Sequence, residues 1–509
     1  MNTRALRIGI FGTFDVQNFG DLLFPLIAEE ELTRRLGPIE LLRFSYHAKS
    51  PPEWPYAVTS VAYLPALVGG LDGVLIGGGF IIRFDKDVAP GYGPPTLGIH
   101  HPTGYWLTPA LMALQHGIPL IWNAPGMHCN SIPMWAQPLL KIALEQCAYI
   151  RVRDEPSRLA LKVVAPAAPI EVLPDTGFGI GGLIGTEPSA SMRVLQRSAG
   201  LDQPYIVVQA TYGLDGFLGT LRTHPKRFEG YRFLVLPIGP VLRDHEANVG
   251  DVPGAVHLPD WPHPLLLAEL LGRAQAVVGH SYHLAITALA CGVPVFCSAD
   301  LSAGKYSALT HFDSLHPLVK GAAIDPDWIL ARLGRRIPCS GVGHALDQLV
   351  GHWDRAAELL REGRKVSVAP LNHFWQQLPN LLEETSQQVQ VMQTKCDAKV
   401  QALEAECATS ARHAADRLAA ATALQGRLDS LEASLDAVRA QAARDVHALQ
   451  RLTKELKDQL SDAIARVAEE RMAAQSQSAA VSASRSMRIT APLRSASRAL
   501  RGFTKGRWP

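Results

Sequence analysis

Seven cysteines in 509 residues, at positions 129, 147, 291, 297, 339, 396 and 407, form no CxxC pair and no metal-ligand spacing. They read as reduced, mostly buried thiols, which excludes a disulfide framework and fits a cytoplasmic protein. No run reaches the roughly 20 apolar residues of a membrane-spanning helix. The apolar stretch Ile8–Phe11, behind the basic start Met1–Arg7, is too brief for a signal-peptide core. Charge of one sign is scarce too: 49 Lys and Arg against 47 Asp and Glu leave a net +2, so no nucleic-acid partner is expected. A GxGxxG fingerprint is missing, and with it any reason to expect a dinucleotide. No metal constellation is visible, and none is expected. What is there is 47% hydrophobic and too long for a single core.

The most informative stretch runs from Ala276 to Phe296. Ala276–Val278 is a short apolar run suited to a buried parallel strand, and Gly279 breaks it. Residues 283–291 carry small and apolar side chains at helical spacing, Gly292 stops the helix, and the next strand begins at Val293. His280, Ser281 and His283 therefore sit at the carboxyl end of a strand and the amino end of a helix, where open α/β sheets bind anions. Two imidazoles and a hydroxyl there suit acid–base work on a charged substrate. On spacing alone, His283 serves equally as a cap or a core residue.

The same strand–loop–helix logic recurs along the chain. Leu6–Gly12 reads as a first strand, followed by a polar loop with Asn18, Gly20 and Asp21 and a helix over Leu22–Leu36. Ile39–Phe44 and Gly73–Ile76 are further strands. The first leaves His47 at its end, and the second runs into Gly77, Gly78 and Gly79, which would let a ligand approach the backbone. Residues 85–109, with His100 and His101, read as a long loop over the site. Strands are expected at 118–123 (with His128 beyond its end) and 170–173, and a short one at Tyr149 feeds a helix start at Arg153, Asp154 and Ser157. A glycine-rich then polar stretch over 177–203 reads as a linker. A second alternation follows, with strands at 205–209 and 232–237 and Lys305 in a loop after the strand that begins at Val293. The expected fold class is thus α/β, with two doubly wound Rossmann-like domains at 1–185 and 203–375 whose loops face a shared cleft.

Composition shifts near residue 380. From there to 475 there is no proline and one glycine, Gly426. Leu424, Leu428, Leu431, Leu435 and Val438 form a heptad seam that Val446, Leu449, Leu452 or Thr453, Leu456 and Leu460 continue after a shift of frame. A long α-helical coiled coil is expected at 380–475, and a homo-oligomer through it. The tail at 476–509 has seven basic and no acidic residues from Arg485 onward, interleaved with Leu493, Leu500, Phe503 and Trp508. It reads as a partly disordered basic segment or as one lying on an anionic membrane surface, which would make the protein peripheral on the inner face.

Five short motifs stand in order across residues 8–310: Asn18-Phe19-Gly20-Asp21, Gly77–Gly79, Arg153-Asp154-Glu155-Pro156-Ser157, Asp175–Phe178, and Ser281-Tyr282-His283 before the helix exit Ala288–Pro294. Together they resemble the polysaccharide pyruvyl transferase family. The segment Met487–Arg494 is separately similar to the ends of bacterial surface-polysaccharide enzymes. The family resemblance implies a GT-B-like pair of domains and transfer of a pyruvyl group from phosphoenolpyruvate to a sugar hydroxyl as a ketal. It implies no cofactor beyond that donor, and a sugar or lipid-linked oligosaccharide as acceptor. On it rest the expected roles. His283 is the acid, supported by His280 or Ser281; Arg153 and Lys305 hold anions; Asn18, Gly20 and Asp21 shape the acceptor side, with Asp21 as a base. Gly77–Gly79 and Asp154 complete the expected binding residues. Asp21 also suits a helix cap, and Arg153–Asp154 an ordinary ion pair at a helix start.

The chain departs from the family pattern where many members carry arginine two residues before the histidine; here that residue is Ser281. A cation expected to hold phosphate or carboxylate is therefore missing. Two other classes fit the same sequence: a GT-B glycosyltransferase using a nucleotide sugar, and a non-catalytic scaffold whose coiled coil recruits other polysaccharide enzymes.

Overall fold

A computed structural model of the chain describes residues 4–84, 102–127, 132–244, 252–302 (apart from 253 and 259), 304–336 and 340–364. In the C-terminal part it describes residues 390–404, 406, 421–477 and isolated positions from 380 to 389. The loop expected over the site, with His100 and His101, lies mostly outside these residues, as do His128 and the basic tail. The chain divides into two compact units, Met1–Leu371 and Asn372–Pro509.

The first unit contains two parallel sheets. In chain order the strands of the first are β1 (Leu6–Phe11), β2 (Ile39–Ser45), β3 (Thr59–Ser60), β4 (Gly73–Ile76), β6 (Leu120–Asn123), β8 (Ile150–Val152) and β9 (Ile170–Val172). Their spatial order is β3-β2-β1-β4-β6-β8-β9, so the sheet is doubly wound with its switch point beside β1. Short strands β5 (Gly79–Ile82) and β7 (Pro125–Met127) pair separately, above the ends of β4 and β6. The second sheet holds β10 (Tyr205–Gln209), β11 (Arg232–Leu236), β12 (Ala255–His257), β13 (Ala276–Gly279), β14 (Val295–Cys297) and β15 (Leu315–Pro317). Its order is β12-β11-β10-β13-β14-β15, with the switch between β10 and β13. These are the two doubly wound, GT-B-like halves expected from the alternation of apolar runs with helices.

One apolar core passes through both halves. Ile10, Phe24 and Ile27 from the first share it with Leu271, Ile286 and Leu289 from the second. The helix Tyr282–Ala290 explains why: it carries no charged side chain and is buried from Tyr282 through Leu289. A helix buried on every face must be surrounded, and here both halves surround it. The stretch expected as a linker joins the sheets and also packs between them. Thr176–Leu183 forms a 3-10 helix with Phe178 and Ile180 buried. The helix Ser340–Glu362 follows the second sheet and returns to the first half, where Asp354 meets Arg35 at 2.6 Å and His352 bonds Asn123 and Tyr149, both at 2.9 Å.

The second unit is helical over 390–404 and Ala421–Gln477. Arg439 pairs with Glu404 at 3.6 Å. One continuous helix would hold those residues about 50 Å apart, given its ~1.5 Å rise per residue, so the two described helical stretches meet at this pair. Leu435 and Leu449, two positions of the heptad seam, are buried.

Candidate active site

The first helix of the chain starts at Phe19, three residues earlier than its apolar periodicity suggests. Asn18 is its N-cap by backbone, accepting from Leu22 N–H at 3.1 Å, and Phe19 N–H donates across to the Ile238 carbonyl at 2.9 Å. Gly20 and Asp21 therefore lie in the first turn, facing the second half of the fold. The absence of a side chain at Gly20 is required there. A Cβ on it would fall 1.8 Å from His283 Nδ1.

His283 comes from that second half. Ser281 caps its helix, accepting from Leu284 N–H at 3.4 Å, and the turn before it is fixed by Gln209 at the end of β10. Gln209 Oε1 accepts from the backbone N–H of both His280 and Ser281 at 2.8 Å, while its amide donates to Asp244 at 2.9 Å. Nothing in the spacing of the chain pointed to Gln209. The His283 ring stands edge-on to Phe24, with centroids 5.5 Å apart, so both faces of the domain boundary enclose it.

The other side of the imidazole faces Asp175. Its Oδ2 lies 3.7 Å from His283 Nε2, an ionic approach too long for a hydrogen bond. The same oxygen accepts from Arg153 Nη1 at 3.2 Å, and Asp175 Oδ1 accepts from Gly177 N–H at 2.8 Å. Burial alone would raise this carboxyl. His283, Arg153 and the Gly177 N–H more than offset it and hold Asp175 at about 2. Arg153, Asp175 and His283 thus form a buried row across the domain boundary, with the carboxylate in the middle. Asp175 was visible only as the first letter of a weak motif, without a role.

Arg153 follows β8 directly and is 2% exposed. Its Nε and Nη2 have no hydrogen-bond partner among the described residues, and its guanidinium lies 4.0 Å from the Phe80 ring centroid and 5.1 Å from that of Tyr282. His283 Nε2 is likewise without a hydrogen-bond partner. Lys305 comes to the same two rings, 5.1 Å from Phe80 and 5.8 Å from Tyr282, with Tyr306 also at 5.1 Å. Burial first, and the nearby Arg153 charge second, push Lys305 down to about 8. Two cations in one aromatic slot repel each other, and buried donors left unpaired are costly. An anion between them relieves both. Phe80, Tyr282 and Tyr306 carry no signal in the sequence that marks them as walls of such a slot.

The remaining expected residues divide. Asp21 is 7% exposed, its Oδ1 lies 3.1 Å from where a Gly79 Cβ would be, and its charge favours the protonated form of Lys305. Gly79 needs its freedom, with φ +84, whereas Gly77 and Gly78 are small because Phe11 and Phe24 press on them. His280 sits at the edge: its carbonyl accepts from Tyr306 Oη at 2.8 Å, and desolvation followed by Lys305 lowers its imidazole. Asp154 is spent locally. It caps the helix Glu155–Val164 through Ser157 N–H at 2.9 Å and lies 3.7 Å from Arg153 Nε. Among the described residues no group of three or more His, Cys, Asp and Glu converges as a metal site would, and no helix is long and apolar enough to cross a membrane.

Comparison with solved structures returns the UDP-GlcNAc 2-epimerase from Methanocaldococcus jannaschii, at 11% identity over 71% of this chain and 100% of that one, with a TM-score of 0.46. The UDP-GlcNAc 2-epimerase from Neisseria meningitidis bound to UDP-GlcNAc is similar at 11% identity, 69% and 93% coverage and a TM-score of 0.42. The trehalose-6-phosphate synthase OtsA follows at 13% identity, 70% and 98% coverage and a TM-score of 0.40. No curated protein sequence matches this chain. The family profile described as Polysaccharide pyruvyl transferase matches residues 18–300, which is more than half of the chain and spans every element of the site except Lys305 and Tyr306. The chain belongs to the polysaccharide pyruvyl transferase family and is by that membership a transferase.

Proposed function

We propose that this transferase moves the pyruvyl unit of phosphoenolpyruvate onto a sugar as a ketal, with no cofactor beyond that donor. The observation that carries the reading is the buried row Arg153–Asp175–His283 beside Lys305. Unpaired donors on a guanidinium and an imidazole, with an ammonium on the same rings, match a small substrate bearing a carboxylate and a phosphate. Arg153 and Lys305 supply the positive charge that Ser281 lacks, and Ser281 itself works as a helix cap.

The chemistry divides among these groups. Protonation of the methylene carbon by His283 makes the adjacent carbon electrophilic. Asp175 faces the ring 3.7 Å from Nε2 and orients it. Arg153 and Lys305 hold the carboxylate and the departing phosphate, and Asp21, close to Gly79, keeps Lys305 charged. Exclusion of water by the two-sided core strengthens each of these interactions.

The acceptor in this reading is a sugar carried on a lipid or nucleotide during surface-polysaccharide assembly. The helical C-terminal unit and basic tail support self-association and contact with an anionic membrane surface, where lipid-linked acceptors reside. The test is mass spectrometry of UDP-linked and polyprenyl-phosphate-linked hexoses incubated with the protein and phosphoenolpyruvate, beside His283→Ala. A product heavier by one pyruvyl ketal, absent with the variant, is expected. Hexose transfer from a nucleotide sugar in place of ketal formation would overturn the reading.

A further inference from the structure

The donor-facing groups supplied by the first half lie to one side of the β1 loop. Gly77–Gly79 end β4, Phe80 is on β5 and Arg153 follows β8, whereas the other neighbour of β1 in the sheet is β2. Phe11 is level with both Phe44 and Ile76, so the chain leaves β2 and β4 at the same height on either side of that loop. On the β2 side stands a second imidazole. His47 Nδ1 lies 2.8 Å from Asp15 Oδ2, which also accepts from the His47 backbone N–H at 2.8 Å.

This pair is built rather than casual. The Asp15 side chain is 3% exposed, and its other oxygen accepts from Ser45 Oγ at 2.6 Å. Ser45 Oγ in turn accepts from Phe14 N–H at 3.2 Å, and the Phe14 carbonyl accepts from the Trp54 indole at 2.8 Å. Both the backbone carrying Asp15 and the carboxylate itself are therefore locked. The His47 side chain is 43% exposed, with its Nδ1 on the buried carboxylate. A buried carboxylate on Nδ1–H fixes the tautomer and leaves the Nε2 lone pair turned to the open side, the arrangement in which an imidazole accepts a proton.

The geometry points to His47 as the general base that takes the proton of the attacking sugar hydroxyl, with Asp15 as its positioning residue. This assignment rests on the pyruvyl-transfer reading above. In the step, the hydroxyl O–H bond breaks, its proton goes to His47 Nε2, and its electron pair forms the bond to the electrophilic carbon of the protonated donor. A second hydroxyl closes the ketal as the bond from carbon to phosphate oxygen breaks, phosphate leaving with that electron pair. Of the two hydroxyl protons released, one replaces the proton delivered by His283 and the other departs on phosphate. Acid and base thus both meet the segment that follows β1, His47 through Asp15 in the loop and His283 through Gly20 in the first turn of the helix.

The test uses the full-length protein with phosphoenolpyruvate and the same panel of UDP-linked and polyprenyl-phosphate-linked hexoses. His47→Gln is expected to lower kcat about a hundredfold or more with KM for phosphoenolpyruvate unchanged. His47→Ala is expected to regain turnover as imidazole is added, and Asp15→Asn to lower kcat without responding to imidazole. Wild-type kcat in His47→Gln, or a loss in His47→Ala that imidazole does not restore, would overturn the role while leaving pyruvyl transfer intact. Absence of any ketal with the wild-type protein would remove the pyruvyl reading and this proposal together.

Discussion

Gly20 and His283 belong to different halves of the fold, and the imidazole occupies the space where any other residue at position 20 would place its Cβ, 1.8 Å from Nδ1. The first turn of one half is therefore a wall against which the other half's His283 ring packs. Gly20→Ala must displace either the helix or the imidazole. Overpacking at such a site costs roughly 1–3 kcal/mol, and a shift of about 1 Å in a reacting group costs about a hundredfold in rate. Thermal unfolding and turnover, measured on one preparation, check both. A variant with wild-type kcat would mean that the ring moves without consequence.

Asp175 neutralises Arg153 and faces His283 from a fully buried position. Asp175→Asn keeps the shape but leaves the guanidinium uncompensated, a loss of roughly 3–5 kcal/mol for a broken buried pair. A large fall in unfolding midpoint together with a fall in kcat is expected. Asp154→Ala, which removes mainly a helix cap, should cost only about 1 kcal/mol.

Lys305 is held down to about 8 by burial and by Arg153, and only its protonated form attracts an anion. Affinity for phosphoenolpyruvate should accordingly weaken as pH rises through about 8, seen as a rising KM. Lys305→Arg should shift that rise to higher pH, because a guanidinium stays charged. A pH-independent KM across that range would remove Lys305 from the donor site.

His352 is pushed down to about 3 by burial first and then by Arg151 and Arg35, against about 6.5 when unfolded. Between these values the unfolded chain binds the extra proton and the folded chain does not. Stability is thus complete above about pH 6.5 and is lost as pH falls toward 3, by an amount on the order of a few kcal/mol. Chemical denaturation at pH 7 and pH 5 should show this loss in the wild type and a smaller one in His352→Gln. Equal losses would mean that other groups set the acid limb.

Much of the fold could be read along the chain because its strands are short apolar runs ended by glycine, proline or polar loops, and such punctuation is local. Ala276–Gly279 and the helix behind it need no distant partner to be recognised. The strand ends with Asn18, Gly77–Gly79, Arg153 and Ser281–His283 could be read for the same reason. Pairing across the domain boundary is another matter. Asp175 as the shared carboxylate, Gly20 against His283, Gln209 beneath the 280–281 turn, and Phe80 with Tyr282 as the slot for both cations join residues far apart in sequence, and no periodicity encodes them. The pairing of Glu404 with Arg439 is of the same kind, since a heptad repeat marks an apolar seam but not what closes on it. Local patterning determined that this chain forms two doubly wound halves with polar loops at their strand ends. Burial of the mostly apolar helix Tyr282–Ala290 between those halves decided which loops meet, because that helix loses its contact with water only when both sides close on it.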